Sequence, residues 1–379
     1  MITFLVLILI FSILVFVHEL GHFFTAKKFG VKVEEFGFGI PPRLFGRKIG
    51  ETIYSINLLP FGGFVKLTGE DSEEANVEYT NIKDPKNFAS KKPYQRVLIL
   101  TAGVLMNLLL AVLLYFVFFF INNFKTLALP VFFDYNFKFG KQSSINTVVT
   151  AFSPSSSAEK AGVQRGEAVI EINSVAVYGV TDIRKELDGK VGQNVRVMLM
   201  DVRKINRDVR SITVTVQKDE KGKGILGVIL SKAVVLSYEG DQRRFAGFLH
   251  AYNMLAYTTN TIGNMINLSF KNHDISPVSD SVSGPVGIFA VVKAILSFKG
   301  KEAVLGLLDL VALLSLSLGF INVLPFPALD GGRIAFVLVE MMSGKRVSPK
   351  AEAFIHKVGM VFLLGLIVLV TFKDIKNLI

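Results

Sequence analysis

Apolar residues gather into four long stretches, with polar residues collected between them. The first predicted transmembrane helix covers residues 1–28, and within it residues 4–17 are fourteen in a row with Ser12 as the only polar side chain. The second, residues 97–121, runs for 25 residues without a charge, long enough to cross a bilayer with some tilt. The third, residues 303–325, contains Asp309 as its one charge, and the fourth, residues 353–372, carries His356 and Lys357 near one end, where a lysine reaches the interface along its own stem. Between the first two stretches the pattern changes period. Residues 51–57 alternate, and Gly37, Gly39, Pro41, Pro42, Gly46, Gly50, Pro60, Gly62 and Gly63 supply turns, so residues 33–67 read as β hairpins within a membrane-associated loop of residues 29–96. Residues 70–87 are polar and acidic, the composition of a surface loop.

Residues 144–232 read as a mainly β globular insertion, with alternating strands at 194–200 and 211–216. The small-residue turn at Ser153 to Ser157, then Ala161-Gly162-Val163 and Gly166-Glu167 before a strand, resembles the signature of PDZ domains, which bind an extended chain at a sheet edge. Residues 224–230 resemble the carboxylate-binding loop and strand of the circularly permuted bacterial form, and equally fit a final core strand. Residues 246–298 are expected to form amphipathic interfacial helices. Asn253, Asn260, Asn264 and Asn267 share one helical face, with Phe248, Leu255, Ile262 and Ile266 mostly opposite.

Composition supports the membrane reading. The 379-residue chain is 51% hydrophobic and 19% charged, with a mean hydropathy of +0.48. It contains no cysteine, so disulfides, thiolate nucleophiles and cysteine-held zinc are excluded. The net charge of +11 comes from scattered basic residues that border apolar segments, which points to an anionic lipid surface rather than to nucleic acid. Lys27, Lys28, Lys91, Lys92, Arg96, Arg333, Lys345, Arg346 and Lys350 mark cytoplasmic loops and place both termini and the β insertion outside. Lys125, Lys138, Lys293, Lys299 and Lys301 run against that assignment. The first stretch lacks the preceding basic residue and following small-residue site of a cleaved signal peptide.

Two of the five histidines lie in His18-Glu19-Leu20-Gly21-His22, at the end of the first apolar run. Spaced at i and i+4 they share one helical face, where both imidazoles can hold one Zn²⁺, and Glu19 is placed to accept a proton from water. The alternative is a chance match on the rim of a buried helix. Ionisable groups inside a bilayer normally have a function, which favours the metal. Near the end of the third stretch, prolines and glycines in Asn322-Val-Leu-Pro-Phe-Pro-Ala-Leu-Asp-Gly-Gly332 break the helix at membrane depth, where irregular backbone must border protein or a watery cavity. Asp330 there is either a turn residue or the third ligand of a His₂-carboxylate site. A fifth span at 246–270 would put the two halves of such a site on opposite leaflets, and it is rejected.

These motifs, together with Phe61-Gly-Gly-Phe-Val-Lys66 and Gly103-Val-Leu-Met-Asn107, resemble the site-2 protease family of intramembrane zinc metalloproteases over nearly the whole chain. In particular they resemble the bacterial type that cleaves anti-sigma factors. The resemblance implies a polytopic α-helical protein of about four transmembrane helices in a bacterial inner membrane, with a β-hairpin region and an inserted extracytoplasmic PDZ domain. It implies one Zn²⁺ on His18, His22 and Asp330, with Glu19 as catalytic base. The implied substrates are single-span membrane proteins, anti-sigma factors or signal-peptide remnants, cut within or near the span. Asn322 is expected to bind substrate backbone or the developing oxyanion, or else to cap the unwound helix end. Asn107 is expected to do the same or to join helices. One PDZ-like unit is visible where some members have two, and Val104 stands where many members have proline. A metal transporter would need neither Glu19 between the histidines nor a PDZ-like domain, a scaffold would not need the metal-site residues, and no serine-hydrolase elbow is present.

Overall fold

Backbone amides have no partner in lipid, so an apolar run that crosses a membrane must pair them within itself as a helix. The computed structural model describes residues 1–70, 84–203, 208–219, 222–279 and 281–378. The chain divides into two compact units, one of residues 1–117 and 262–379 and one of residues 118–261. Much of the predicted acidic loop at 70–87 lies outside the described residues.

In the first unit, α1 (Ile2–Lys28) is followed by β1 (Val33–Ile49) and β2 (Thr52–Leu67), a short 3-10 turn at Phe88–Ser90, and α2 (Pro93–Ile121). The expected hairpins form one antiparallel pair that curls back on itself. Phe36 stands opposite both Tyr54 and Val65, and Phe38 opposite both Ile56 and Gly63, while the tip pairs Lys48 with Ile53. The segment after Pro60 therefore forms an outer strand, whose far edge pairs with no other strand among the described residues. Ala26, Val31, Val33, Leu67, Phe88, Ile99, Leu100 and Val337 make one buried cluster that ties this sheet to the ends of α1 and α2.

The second unit contains β3 (Leu129–Val131), β4 (Lys141–Phe152), α3 (Ser157–Lys160), β5 (Glu167–Ile172), β6 (Val175–Ala176), α4 (Val180–Leu187), β7 (Asn194–Asp201), β8 (Val209–Thr215), β9 (Gln217–Lys218), β10 (Gly224–Ile225) and β11 (Val228–Ser237). The main antiparallel sheet has the order β3-β11-β4-β5-β7-β8, and β6 pairs with β5. Alternation along β7 buries Val195, Val197 and Leu199 beside Ile172, Ile183 and Leu187. The sheet runs past the expected 144–232 boundaries on both sides, because β4 begins at Lys141, β11 continues to Ser237, and β3 covers part of the β11 edge. Its base is closed where Thr126 donates its amide to Leu236 O and Tyr238 donates to Phe124 O, both at 2.9 Å. Helix α5 (Ala246–Asn272) then begins, with Asn253 buried and donating to Phe139 O and to the Tyr238 hydroxyl.

The chain returns to the first unit through α6 (Ser276–Ser279), α7 (Pro285–Ser297), α8 (Lys301–Val323), α9 (Asp330–Ser343) and α10 (Pro349–Leu378). Helix α7, expected among the interfacial helices, packs on α1. Its Val292 is fully buried with Leu7, Ile10 and Leu14 of α1, because α7 is apolar around most of its circumference. Asp374 of α10 accepts from the amides of Gly284 and Gly287 at 2.8 Å each and so caps α7. Among the described residues, four helices are long and apolar enough to cross a membrane: Ile2–Lys28, Pro93–Ile121, Lys301–Val323 and Lys350–Lys376. Helix α5 is not one of them. Exposed Leu5, Leu9, Leu109, Leu113, Leu366 and Leu369 suit a surface facing lipid, and the chain is a polytopic membrane protein.

Candidate metal centre

His18 and His22 lie one turn apart on α1, six residues or about 9 Å of helix from its end for His22. Both are buried. Asp330 reaches them from the first turn of α9. Between α8 and α9 the chain is unwound, Ala328 takes a left-handed φ of +74°, and its amide donates to His356 Nδ1 at 2.9 Å. Any Cβ at Gly331 would strike the carbonyls of Val323 and Leu324, and one at Gly332 would strike Phe326 O. The two glycines therefore let α9 fold back tightly on the end of α8, which aims the Asp330 carboxylate into the bundle.

The three donors form a triangle. His18 Nε2 is 2.9 Å from Asp330 Oδ2, His22 Nε2 is 3.4 Å from the same oxygen, and the two Nε2 atoms are 3.2 Å apart. Tetrahedral zinc with bonds of about 2.0–2.1 Å needs ligand atoms roughly 3.3 Å from one another, so this donor set fits the ion. The tautomer of His22 fits as well. Its Nδ1 lies 2.9 Å from Ile99 O, a carbonyl that can only accept, so Nδ1 carries the hydrogen and Nε2 keeps its lone pair for a metal.

Small residues make this geometry possible. A Cβ on Gly21 would overlap Ala102 O, and a Cβ on Gly103 would lie 2.8 Å from His18 Nε2 and closer still to His22 Nε2. Helices α1 and α2 thus touch through glycine on both sides. Glu19 lies on the neighbouring face of α1, toward the hairpin. Ser12 donates to Pro60 O at 2.6 Å, Val15 packs at Gly62, and the Glu19 stem passes the Cβ position of Gly63 at 3.9 Å. Arg333, three residues beyond Asp330, pairs with Glu70.

His18, His22 and Asp330 are therefore brought together, with Glu19 next to His18. Asn322 is half-buried at the last turn of α8, and its side chain makes no hydrogen bond among the described residues. Asn107, expected to contact substrate or to join helices, sits where α2 meets α1. It is fully buried, and its Nδ2 lies 3.2 Å from His18 Nδ1, on the side of the ring away from Asp330. The roles of Ile99, Gly21 and His356 escape sequence reasoning. Ile99 acts through a backbone carbonyl that its side chain does not announce. Gly21 sits inside the first motif as an unremarkable x, and His356 lies more than twenty residues from Asp330.

A His₂-Asp donor set among apolar helices, with a glutamate adjacent to the first histidine, makes a candidate metal centre in a membrane protein. The chain matches peptidase family M50 over residues 6–366 and belongs to that family, which is the site-2 protease family. A Clostridium perfringens relative is 34% identical over 371 residues, covering 97% of each chain, and one from Clostridium acetobutylicum is 32% identical, covering 97% of this chain and 96% of its own. A Fusobacterium nucleatum relative is 32% identical over 99% of both chains. All three carry the name "Putative zinc metalloprotease". The chain is also similar to the solved PDZ domain of an SdrC-like protein of Listeria monocytogenes, at 18% identity over 23% of this chain and 87% of that one, with a TM-score of 0.20.

Proposed function

We propose that this metalloprotease hydrolyses peptide bonds within or near the transmembrane segments of other membrane proteins, with one zinc ion held by His18, His22 and Asp330. The observation that carries this reading is the donor triangle, with edges of 2.9, 3.2 and 3.4 Å, on helices long and apolar enough to lie in a bilayer. When bound there, zinc supplies a Lewis acid that polarises the peptide carbonyl and acidifies water. Glu19 takes the proton from the attacking water and passes it to the departing amine. Asn322, with its side-chain amide uncommitted among the described residues, donates to the carbonyl oxygen as negative charge builds there.

A helical substrate must unwind before its peptide bond is exposed. The outer strand at residues 63–66 runs beside Glu19, and its free edge can pair with the unwound segment as an added strand. The basic residues at the α1–β1 end of the first unit mark the cytoplasmic side of a bacterial inner membrane. That orientation puts the β unit outside, where as a PDZ-like domain it excludes substrates with bulky external domains. Anti-sigma factors trimmed by a first cut, and signal-peptide remnants, are single-span substrates of this kind.

The test is Glu19→Gln in purified protein. The ligands stay, so zinc content remains at wild-type level, while cleavage of a single-span substrate falls by roughly 10²–10⁴-fold. Near-normal turnover by that variant removes Glu19 from the mechanism, and a wild-type protein that binds no zinc removes the metal centre.

A further inference from the structure

Helix α2 presents three features to the two imidazoles at one-turn intervals: the Ile99 carbonyl, the bare face of Gly103, and the Asn107 side chain. Ile99 O takes the Nδ1 hydrogen of His22. Asn107 meets the equivalent atom of His18. As placed, its Nδ2 faces His18 Nδ1 at 3.2 Å, and its Oδ1 is buried and accepts no hydrogen bond among the described residues. With His18 ligating through Nε2, its Nδ1 carries the hydrogen and needs an acceptor, and the oxygen and nitrogen of an amide differ so little in shape that either can stand at that contact. With the amide turned by 180°, Oδ1 stands at His18 Nδ1 and supplies that acceptor.

We infer that Asn107 is a positioning residue for the metal centre: its Oδ1 accepts the Nδ1 hydrogen of His18, which holds the Nε2 lone pair of that ring toward Asp330 and His22. This rests on the reading of His18, His22 and Asp330 as metal ligands. The opposite polarity, with Nδ2 donating to His18 Nδ1, would leave the hydrogen on Nε2 and aim it at the other two donors, which is incompatible with ligation through that atom. Ser315 of α8 donates to the backbone carbonyl of Asn107 at 2.8 Å, so this turn of α2 is held against α8 and the side chain is held at His18. Asn107 therefore acts through His18.

The experiment is a zinc competition titration against a chelator, using the full-length protein in detergent, with the melting temperature of the metal-free form recorded for every variant. Asn107→Leu removes the acceptor and is expected to weaken zinc binding by about 10–100-fold with little change in metal-free melting. Asn107→Asp keeps an acceptor and has no donor, so it is expected to bind zinc at least as tightly as wild type. Loss of zinc affinity in Asn107→Asp overturns the inference, since it shows that the donor is the working group. Wild-type zinc affinity in Asn107→Leu overturns it too. If Asn107→Leu does not fold, Asn107→Asp alone decides by the same criterion. Failure of the metal-centre reading looks different: wild type and Asp330→Ala would then bind zinc equally, whatever stands at 107.

Discussion

At the residue scale, the metal centre depends as much on atoms that are missing as on those present. Gly103 leaves room for both imidazoles, and a methyl group there would overlap the donor atoms themselves. Gly103→Ala is expected to lower zinc occupancy at equal protein concentration and to reduce cleavage with it, although no ligand is changed. Full zinc occupancy in that variant would show that α2 yields more easily than close helix packing allows. A third buried histidine behaves differently. His250 lies against Phe119, and its Nδ1 accepts from the Tyr238 hydroxyl at 3.0 Å, while that hydroxyl accepts from Asn253. Burial pushes its pKa down from 6.5 to about 3. Between these values the unfolded chain binds the extra proton and the folded chain does not, so stability rises with pH across the window and is lost as pH falls through it. The slope approaches about 1.4 kcal/mol per pH unit. Thermal unfolding of the purified protein at pH 7 and pH 5 checks this. The lower pH is expected to give the lower midpoint, and a His250→Gln variant is expected to show less of the difference.

At the element scale, polar side chains on one helix repair the ends of another. Asp374 supplies α7 with the N-terminal cap that Gly284 cannot, and neighbouring Lys373 donates to Ser279 O at 2.6 Å. Asp374→Ala is expected to destabilise the helical unit by about 0.5–2 kcal/mol, the range for a lost cap. It should leave zinc affinity unchanged, because neither residue contacts the donors. A melting temperature equal to wild type would show that the cap is replaceable. Element identity was largely legible in the sequence. The four apolar runs became helices, and the turn-rich segment at 33–67 became paired strands. The curl of that hairpin was not legible, because alternation states which face a residue takes and not which of two strands it pairs with. The placement of α7 was equally hidden, since a short apolar helix reads the same whether it meets lipid, headgroups or another helix.

At the scale of the whole molecule, the two ends of the β unit are joined by hydrogen bonds between residues 124–126 and 236–238. Replacing residues 127–235 with a flexible linker removes β4 whole and all of β11 but Leu236 and Ser237, which stay at that junction. If the unit filters by size, the variant is expected to cleave a substrate that still carries a folded external domain, and to cleave the trimmed substrate no faster than wild type does. Cleavage assays on both substrates decide it. A variant that binds zinc and cuts neither would show that the unit recruits substrate instead.

The sequence by itself determined the class and proposed the residues of its chemistry. His18, Glu19 and His22 declare themselves because helical periodicity alone puts i and i+4 on one face, and uninterrupted apolar runs admit only helices in lipid. Asp330 was visible as a candidate through the prolines and glycines that break its helix. Tertiary structure alone decided that it meets the histidines, since no local rule joins residues more than 300 positions apart. It also decided what stands behind them: the Ile99 carbonyl, the absent Gly103 side chain and the buried Asn107 amide. Hydrogen bonds to the far side of a ligand depend on how closely two helices approach, and that distance is set by packing across the whole bundle, not by either helix alone.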